Sequence, residues 1–501
     1  MEGTTIKKLV LIIVTLVFGM TVVAQKNGYD NSFWIEFNSP ELAFRHHVTS
    51  LIVDDRGKLL TGMSIGGVYS SEDEGVTWQK VANGILDNVC VNALYQHWDG
   101  KIYAGTDYPD LYVLENQGME WTAIPVDTPN DGNIYNILCS EDTTLFIDNG
   151  GISKTNDWNN YTWESVYVVE SQTVTINDIL DFGNGIMLAS LSDMMLNGGG
   201  ILRSVDYGNT WEYVNLNDNF IQKIAKNSRN IVFACSYDWN HSLHKSYDMG
   251  LTWEPLPPCW ECIPSIVIDT NDVLYVNEYC DTGIPQGIFR STDEGGSFEP
   301  IETGMFDKRV YKLYLSKNGF LFAYGGEQYD NGNWYSKIYR SRKSVYEEFE
   351  IEVATCPENG GTAIGSGTYH FGEFAHLSAT ANENYQFVGW TNQDGDTIST
   401  EMEYAHIVTR DDRLTAHFFS IENICEFKEE QVKVWPNPVK SIVTIQGIEP
   451  NAIQVYNAIG QMVKTIQMSN EIDLKGLPQG IYSLRIIDEN DFFVTKKVIV
   501  E

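Results

Sequence analysis

The sequence predicts an all-β protein: a seven-bladed β-propeller, then a small β module, then a C-terminal Ig-like β-sandwich. Three observations predict it. A short motif recurs seven times between Gly67 and Phe349, clearest as Ser71-x-Asp73-x-Gly75-x-Thr77-Trp78, Ser204-x-Asp206-x-Gly208-x-Thr210-Trp211 and Ser246-x-Asp248-x-Gly250-x-Thr252-Trp253. Ser291-x-Asp293-x-Gly295-x-Ser297-Phe298 is a conservative fourth copy; Asn116-x-Gly118-x-x-Trp121, Thr155-x-Asp157 reaching Trp163, and Ser341-x-Lys343 ending at Phe349 are degenerate. The third motif position falls at 73, 116, 157, 206, 248, 293 and 343, in steps of 41 to 50 residues. A four-stranded blade of short strands needs roughly 40–50 residues. Finally, no long stretch has helical periodicity; alternating and β-branched runs bounded by Gly, Asp and Asn are strand signals.

The elements follow in order. Residues 1–24 read as a secretory signal peptide: Lys7 and Lys8 precede an apolar run over 9–23, too short for a comfortable membrane span, and Val22-Val23-Ala24 offers a cleavage site before Gln25. No Cys follows the apolar run, so a lipoprotein anchor is not expected, and no later segment reads as a membrane span. Residues 25–351 form the propeller. Trp34-Ile35-Glu36-Phe37 is similar to the outer strand after each motif and is predicted to close the ring by pairing into blade seven, removing its open edges. Blade two shows the shared internal order, with strands over 89–95, 101–105, 111–114 and 121–124 and a turn at His97-Trp98-Asp99-Gly100. His46-His47 start the first inner strand and read as turn or core residues. Cys90, Cys139 and Cys235 fall in predicted inner strands and read as buried thiols, in a chain whose export implies an oxidising compartment. Cys259 or Cys262 is a candidate to bridge to Cys280, with a Cys-x-x-Cys zinc site as the alternative, and Cys356 and Cys425 are a candidate pair.

The chemistry of the motif explains its composition. A carboxylate accepts backbone N–H groups in a tight hairpin turn, Gly supplies positive φ, and Trp packs between neighbouring sheets. On these residues the motif resembles the Asp box, or BNR repeat, of sialidases, sortilin-type receptors and plant photosystem assembly factors. The resemblance implies boxes on the blade periphery, remote from any active site. Asp73, Asp157, Asp206, Asp248 and Asp293 are therefore expected to be structural, not catalytic or metal-binding.

Two modules follow the propeller. Over 352–420 the pattern changes to Gly360-Gly361-Thr362-Ala363, Gly367-Thr368-Tyr369, Tyr385-Gln386-Phe387-Val388-Gly389-Trp390 and Leu414-Thr415-Ala416-His417-Phe418. This resembles the divergent internalin-type bacterial repeat, which implies a stalk or adhesive spacer with Phe387 and Trp390 in its core. Over 427–501 the chain carries Val434-Trp435-Pro436-Asn437-Pro438, Ile453-Gln454-Val455-Tyr456-Asn457, Gly480-Ile481-Tyr482 and a final Lys496-Lys497-Val498-Ile499-Val500, a spacing of about seven short strands. It is similar to the type A sorting domain of the type IX secretion system of Bacteroidetes. That resemblance implies the secretion machinery as partner and export to the cell surface or beyond.

The formal net charge is −35, from 68 acidic and 33 basic side chains. Such a balance argues against nucleic acid and against docking on anionic lipid. No phosphate loop, dinucleotide fingerprint, Gly-x-Ser-x-Gly elbow or His-Glu-x-x-His helix occurs, so no cofactor or metal is expected. Ligands meet propellers where loops from several blades converge, between second and third strands and between consecutive blades, or in the central channel. Those loops are rich in aromatic and polar residues: Asp107, Tyr108 and Asp110; Tyr237, Asp238, Trp239 and His241; Glu278, Tyr279 and Asp281; Glu327, Gln328, Tyr329, Asp330 and Trp334. Aromatic faces stack on sugar rings and polar groups bind hydroxyls, so the mixture suits a glycan. Tyr108, Tyr237, Trp239, His241, Tyr279, Gln328, Tyr329 and Trp334 are the predicted ligand contacts.

Sialidase chemistry is not expected: the Phe/Tyr-Arg-Ile-Pro signature is missing, and Arg45, Arg203, Arg290 and Arg340 mostly sit beside the motifs in strand positions instead of forming a triad. An inverting glycanase would need two facing carboxylates about 6.5–9.5 Å apart, for which Asp107, Asp238, Glu278 and Glu327 are the candidates. The leading expectation is non-catalytic recognition of a glycan or glycoprotein; glycoside hydrolysis on the same face and surface protein–protein assembly are the alternatives.

Overall fold

A computed structural model describes residues 32–37, 47–81, 83–85, 88–107, 110–115, 120–129, 132–141, 143–168, 174–193, 199–214, 216, 220–236, 242–257, 262–278, 287–301, 304–305, 310–330, 333–421, 432–488 and 493–501, with only the backbone at 193 and over 325–330 and 333–336. The signal segment 1–24, His46, Tyr108, Tyr237, Asp238, Trp239, His241, Tyr279, Asp281, Cys259, Cys280, Cys425 and the Asn116-x-Gly118 stretch lie outside the described residues. Two compact units divide the chain: Met1–Ala354 with Ala363–Ala379 and Gly389–Ala416, and Thr355–Thr362 with Thr380–Val388 and His417–Glu501. The stretch expected as a separate module over 352–420 is thus shared between the two.

The first unit is a β-propeller. Before residue 349 the described residues form seven four-stranded antiparallel sheets. The first runs Val48–Val53, Leu59–Met63, Val68–Ser71, Gln79–Lys80, and the second Val91–Gln96, Ile102–Thr106, Asp110–Leu114, Trp121–Pro125, within two residues of the sequence expectation. The chain repeats this meander five times more. In the seventh sheet Lys312–Leu315, Leu321–Asp330 and Asn333–Ser341 are completed by Trp34–Phe37, with Trp34 opposite Ser341 and Phe37 opposite Ile338. The N-terminal strand closes the ring, as its likeness to the outer strands predicted.

Cores lie between neighbouring sheets, which is why the strands are apolar on both faces. Leu51, Leu59 and Trp78 of the first sheet pack with Phe322, Tyr324 and Ile338 of the seventh, while Ile52, Leu60 and Val68 pack with Val91, Ile102 and Tyr112 of the second. Each fully buried side chain of this size contributes about 1.5–3 kcal/mol. Sheets in such a ring stabilise one another, so no sheet can be removed alone.

Within the same unit, residues after 354 pack on the sheets. Phe371 stacks on Phe33 with ring centroids 4.9 Å apart, Arg290 Nη1 donates to Gly372 O at 3.3 Å, and His376 Nε2 lies 3.3 Å from Glu299 Oε1. A Cβ on Gly372 would come within 2.3 Å of the Phe33 ring. Trp390 is fully buried with Nε1 donating to Glu401 O at 3.1 Å, the core role expected for it. In the second unit, Phe387 meets Phe418 edge-on at 5.8 Å. There the C-terminal seven strands form a three-stranded sheet (Lys433–Trp435, Ile442–Gln446, Glu471–Asp473) and a four-stranded one (Met462–Gln467, Ala452–Tyr456, Gly480–Ile487, Phe493–Val500) over one core that includes Val443, Ile453, Leu484 and Val498.

Candidate functional site

An antiparallel meander gives each sheet two ends. The first-to-second hairpins and the motif turns share one; the second-to-third loops and the inter-sheet connectors share the other.

The motif end is built for stability. In its four clear copies Asp73, Asp206, Asp248 and Asp293 each accept a Ser hydroxyl two residues back and the backbone N–H and hydroxyl of the residue four ahead, at 2.5–2.8 Å. Bonds from the Thr77 hydroxyl, the Thr77 N–H and Ser71 pull the Asp73 carboxyl down to about 2. At Asp206 and Asp248 burial opposes ionisation, but the bonds from Thr210 and Thr252 outweigh it and lower both. Asp157, in a degenerate copy, is lowered chiefly by the Asn160 N–H, and its bonds are longer, at 3.1–3.3 Å. The motif glycine has no alternative: Gly250 has φ of 84°, and a Cβ there would meet Leu188 of the preceding sheet at 2.7 Å. Every one of these carboxylates is committed to its own turn.

Basic residues of the third strands link each turn to the sheet before it. Lys154 reaches Asn209, Arg203 Nε donates to Met249 O at 3.1 Å, Lys245 Nζ to Glu294 Oε2 at 2.7 Å and Arg340 Nη1 to Glu74 Oε2 at 2.7 Å. Of the arginines weighed for a sialidase triad, Arg203 and Arg340 tie neighbouring sheets, Arg290 reaches Gly372 O, and Arg45 lies outside the described residues; the described three are each bonded at a different place. A cavity of about 560 Å³ also opens at this end, between the first and second sheets, lined by Arg56, Lys58, Glu72, Lys80 and Glu115. Its charges pair locally, Lys58 with Glu72 and Arg56 with Asp54, and it lies away from the loops where ligand contacts were predicted.

The loop end is different. Inner strands enter it through β-bulges at Val48/Ser50, Val91/Ala93, Ile176/Asp178 and Ile221/Lys223. Each bulge re-aims a polar side chain. Thr49 Oγ1 donates to Val91 O at 2.5 Å, Asn177 Nδ2 to Ile221 O at 2.7 Å, and Asn136 Nδ2 to Asn177 O, stitching the first sheet to the second, the fourth to the fifth and the third to the fourth. At the matching start of the seventh sheet stands Lys312, whose Nζ donates to Thr49 O at 2.6 Å. Across the mouth, Lys223 Nζ pairs with Asp178 Oδ1 at 2.9 Å, and Asp178 Oδ2 accepts the Ile224 N–H at 3.1 Å.

Lys312 is exposed yet crowded by protein, and this crowding, then the charge of Lys223, draws its ammonium down to about 8; Cys90 and Asp178 act the other way. Cys90 lies in the connector entering the second sheet, and Lys223 and Asp178 belong to the fifth and fourth sheets. Cys90 Sγ donates to Asn92 Oδ1 at 3.0 Å, and burial, then Asp107, pushes its thiol up to about 11. On the third sheet the buried Asp148 carboxyl accepts the Tyr135 and Asn136 N–H groups at 2.6 Å, yet burial pushes it up to about 8.

Of the predicted site residues, Asp107 sits at this mouth with Oδ1 accepting the Cys90 N–H at 3.0 Å. Asp110 starts the third strand of the same sheet. Glu278 ends the second strand of the sixth sheet and is buried, where a solvent-facing loop position was expected. Glu327, Gln328, Tyr329, Asp330 and Trp334 lie in strands, not a loop: the seventh sheet's hairpin carries ten- and nine-residue strands, with Tyr329 opposite Trp334 and Gln328 opposite Tyr335. The cysteine expectation needs correction. Only Cys235 is fully buried, in a second strand; Cys139 is half-buried, and the half-buried Cys90 precedes its strand because its N–H is tied to Asp107 at the connector. Cys356 is exposed. His47 likewise precedes the first inner strand, its N–H bonded to Ser64 Oγ at 2.8 Å.

Sequence reasoning missed Lys312, Lys223, Asp178, Asn92 and Asp148, all inside strand-like runs. Superposing the repeats by their motifs was the available signal, since a polar residue stands at the bulge of four inner strands (Thr49, Asn92, Asn177, Gln222) and at or beside the start of the other three (Asn136, Ser265, Lys312).

Comparisons with known proteins bear mainly on the C-terminal part. Residues 433–501 match the family model of the secretion system C-terminal sorting domain, and residues 351–422 that of the divergent InlB B-repeat domain. The sorting domain makes this a protein secreted by the type IX system, to the cell surface or the extracellular space. Among the described residues no helix is long and apolar enough to cross a membrane. No curated protein matches the chain. Solved structures similar to it include YCF48 bound to D1 peptide (14% identity, 62% of this chain and 98% of that one, TM-score 0.47) and the Niastella koreensis GH74 enzyme (17%, 60% and 43%, 0.44). PorZ, a surface component of the type-IX secretion system of Porphyromonas gingivalis, is similar at 13% identity over 96% of this chain and 61% of that one, TM-score 0.42. At these scores none of the three bears on what this chain binds.

Proposed function

We propose that this chain is a secreted, seven-bladed Asp-box propeller that recognises a glycan or glycoprotein on its loop face without transforming it. The observation that carries the reading is the seventh sheet's long hairpin, which sets Tyr329 directly opposite Trp334 and Gln328 opposite Tyr335, between strands that also carry Glu327 and Asn333. Aromatic residues beside amides and carboxylates are the composition that binds sugars. The two described carboxylates among the catalytic candidates, Asp107 and Glu278, support binding over hydrolysis, because one is tied to the Cys90 N–H and the other is buried.

The test is the mature chain on a broad array of host and plant glycans. Specific binding should disappear in Trp334→Ala while the unfolding midpoint stays put. A silent array with folded protein overturns the reading in favour of a protein partner. Release of reducing ends from a bound glycan, abolished by Glu327→Gln, would replace it with hydrolysis.

A further inference from the structure

We propose that the turn at residues 370–373, within the stretch that matches the divergent repeat, is the clasp that holds the propeller ring closed. It takes the place of a motif turn that the seventh sheet lacks, and it grips the N-terminal closing strand through Phe33. The clasp is independent of what the loop end binds.

The place of the turn is marked by one basic residue. Lys154, Arg203, Lys245, Arg290 and Arg340 are each the last residue but one of a third strand, directly before the first motif position. Four of them reach the motif turn of the next sheet round the ring, at Asn209, Met249, Glu294 and Glu74. Arg290 belongs to the sixth sheet, and the motif after it is the degenerate one, with Lys343 and Val345 where the others have Asp and Gly. Its Nη1 donates to Gly372 O at 3.3 Å, a bond made away from water because Arg290 is buried. Gly372 has φ of 79°, the left-handed conformation of the motif glycines Gly208 and Gly250, at 73° and 84°. A left-handed glycine from the repeat stretch thus meets the arginine that a motif turn would otherwise meet.

The same turn holds the closing strand. Phe371 and Phe33 are both buried and stack with their planes 21° apart. Phe33 directly precedes Trp34–Phe37; its O accepts the Arg342 N–H at 2.8 Å, and Arg342 Nη2 donates to Ser32 Oγ at 2.9 Å. The Phe371 N–H donates to Glu347 O at 2.8 Å, and the Gly372 N–H to Val408 O at 2.7 Å. Phe33 is therefore fixed on one side by the seventh sheet's own degenerate motif and on the other by the repeat stretch. The turn closes on the Phe33 ring with no space left for a Cβ at position 372.

A ring of sheets has one seam, where its last sheet is completed by a strand from the other end of the chain. Here that strand is only four residues long. Short strands near a chain terminus fray unless something ties them down. The Phe33–Phe371 stack supplies the tie, and it makes residues 33–37 and 370–373 one cooperative unit, opening together. Opening also bares the edge of Asn333–Ser341, the strand that pairs with Trp34–Phe37.

The experiment is hydrogen–deuterium exchange on the full mature chain, read by mass spectrometry over residues 33–37, 367–373 and 232–236. In the parent, urea below the global transition should bring the first two segments to exchange through one opening with one urea dependence. Phe371→Ala should speed exchange over 33–37 by about tenfold or more. Residues 232–236 of the fifth sheet should stay as protected as in the parent. Phe371→Leu, which keeps an apolar side chain, should fall between the two. Unchanged exchange over 33–37 in Phe371→Ala overturns the proposal, and so does faster exchange everywhere, which marks a general loss of stability. Separate openings of 33–37 and 367–373 in the parent overturn it as well, and that measurement decides alone should Phe371→Ala fail to fold.

Discussion

The two ends of the propeller are made from one repeated unit and have gone opposite ways. At the motif end Asp73, Asp206, Asp248 and Asp293 make the same bonds to their own turns, and Arg203, Lys245 and Arg340 hold the turn of the following sheet. At the loop end the corresponding strand starts have diverged to Thr49, Asn92, Asn177, Gln222 and Lys312, and their bonds differ from sheet to sheet. Repetition here records a need that every sheet shares, a tight turn that fits against its neighbour. Divergence marks positions where no single residue serves all seven sheets, and those positions surround the channel mouth. A carboxylate repeated on schedule is a poor guide to chemistry.

If the ring is common scaffold for both ends, damage to its closure should take both down together. Trp34 is fully buried, and its Nε1 donates to Ile301 O at 2.5 Å while its strand completes the seventh sheet. Trp34→Ala should lower stability by about 3–5 kcal/mol. Deletion of residues 30–42 should cost more, because the edge at Asn333–Ser341 is then left unpaired. Urea unfolding followed by tryptophan emission measures both. An unchanged midpoint on deletion would show that the ring closes without its N-terminal strand.

Legibility in the sequence divides along the same line. The motif end could be read residue by residue: an Asp to bond the turn, a Gly at positive φ and a Trp to pack recur at fixed spacing, and that spacing predicted the sheet count, while the likeness of Trp34–Phe37 to the outer strands predicted its pairing. The loop end could not. Lys312 looks like any strand residue until the ring brings it within reach of Asp178, Lys223 and Cys90, each more than 80 residues away in sequence. Glu278 failed as a loop candidate for a related reason, since it is the last residue of the strand Leu274–Glu278 and its side chain is buried in the sheet. Within the stretch that matches the divergent repeat, Phe371 and Gly372 are packed against Phe33 and Arg290, a contact between residues some 80 to 340 positions apart that no local pattern encodes.

A milder blow aimed at the motif end alone should separate the two. Asp248→Ala removes the bonds to Ser246, Leu251 and Thr252 and should cost about 1–2 kcal/mol, the range for losing a local side-chain cap. Glycan binding should not change. Loss of binding at full stability would show that the motif end reaches the ligand after all. The same carboxylates set an acid limit. Their folded pKa values lie below the unfolded value near 4, so their contribution is present above that value and is lost as pH falls, for Asp73 until about 2. The slope of stability between pH 5 and pH 2 should be shallower in Asp248→Ala than in the parent.

The smallest effect belongs to the loop end and has the opposite sign. Burial raises the Asp148 carboxyl to about 8, so the protonated form is the one the fold favours. Its contribution is complete below the unfolded carboxylate value near 4 and is lost as pH rises through 8. Asp148→Asn keeps an oxygen to accept the Tyr135 and Asn136 N–H groups, which meet Oδ1 at 2.6 Å, and cannot ionise. The variant should match the parent below about pH 4 and be the more stable of the two at pH 8. Acid would then loosen the motif end while alkali loosens the loop end, and each single variant would flatten one limb of the stability profile. Should Asp148→Asn instead lose stability at pH 8, the two short N–H bonds are holding a carboxylate, and the loop end would resemble the motif end more closely than its burial suggests.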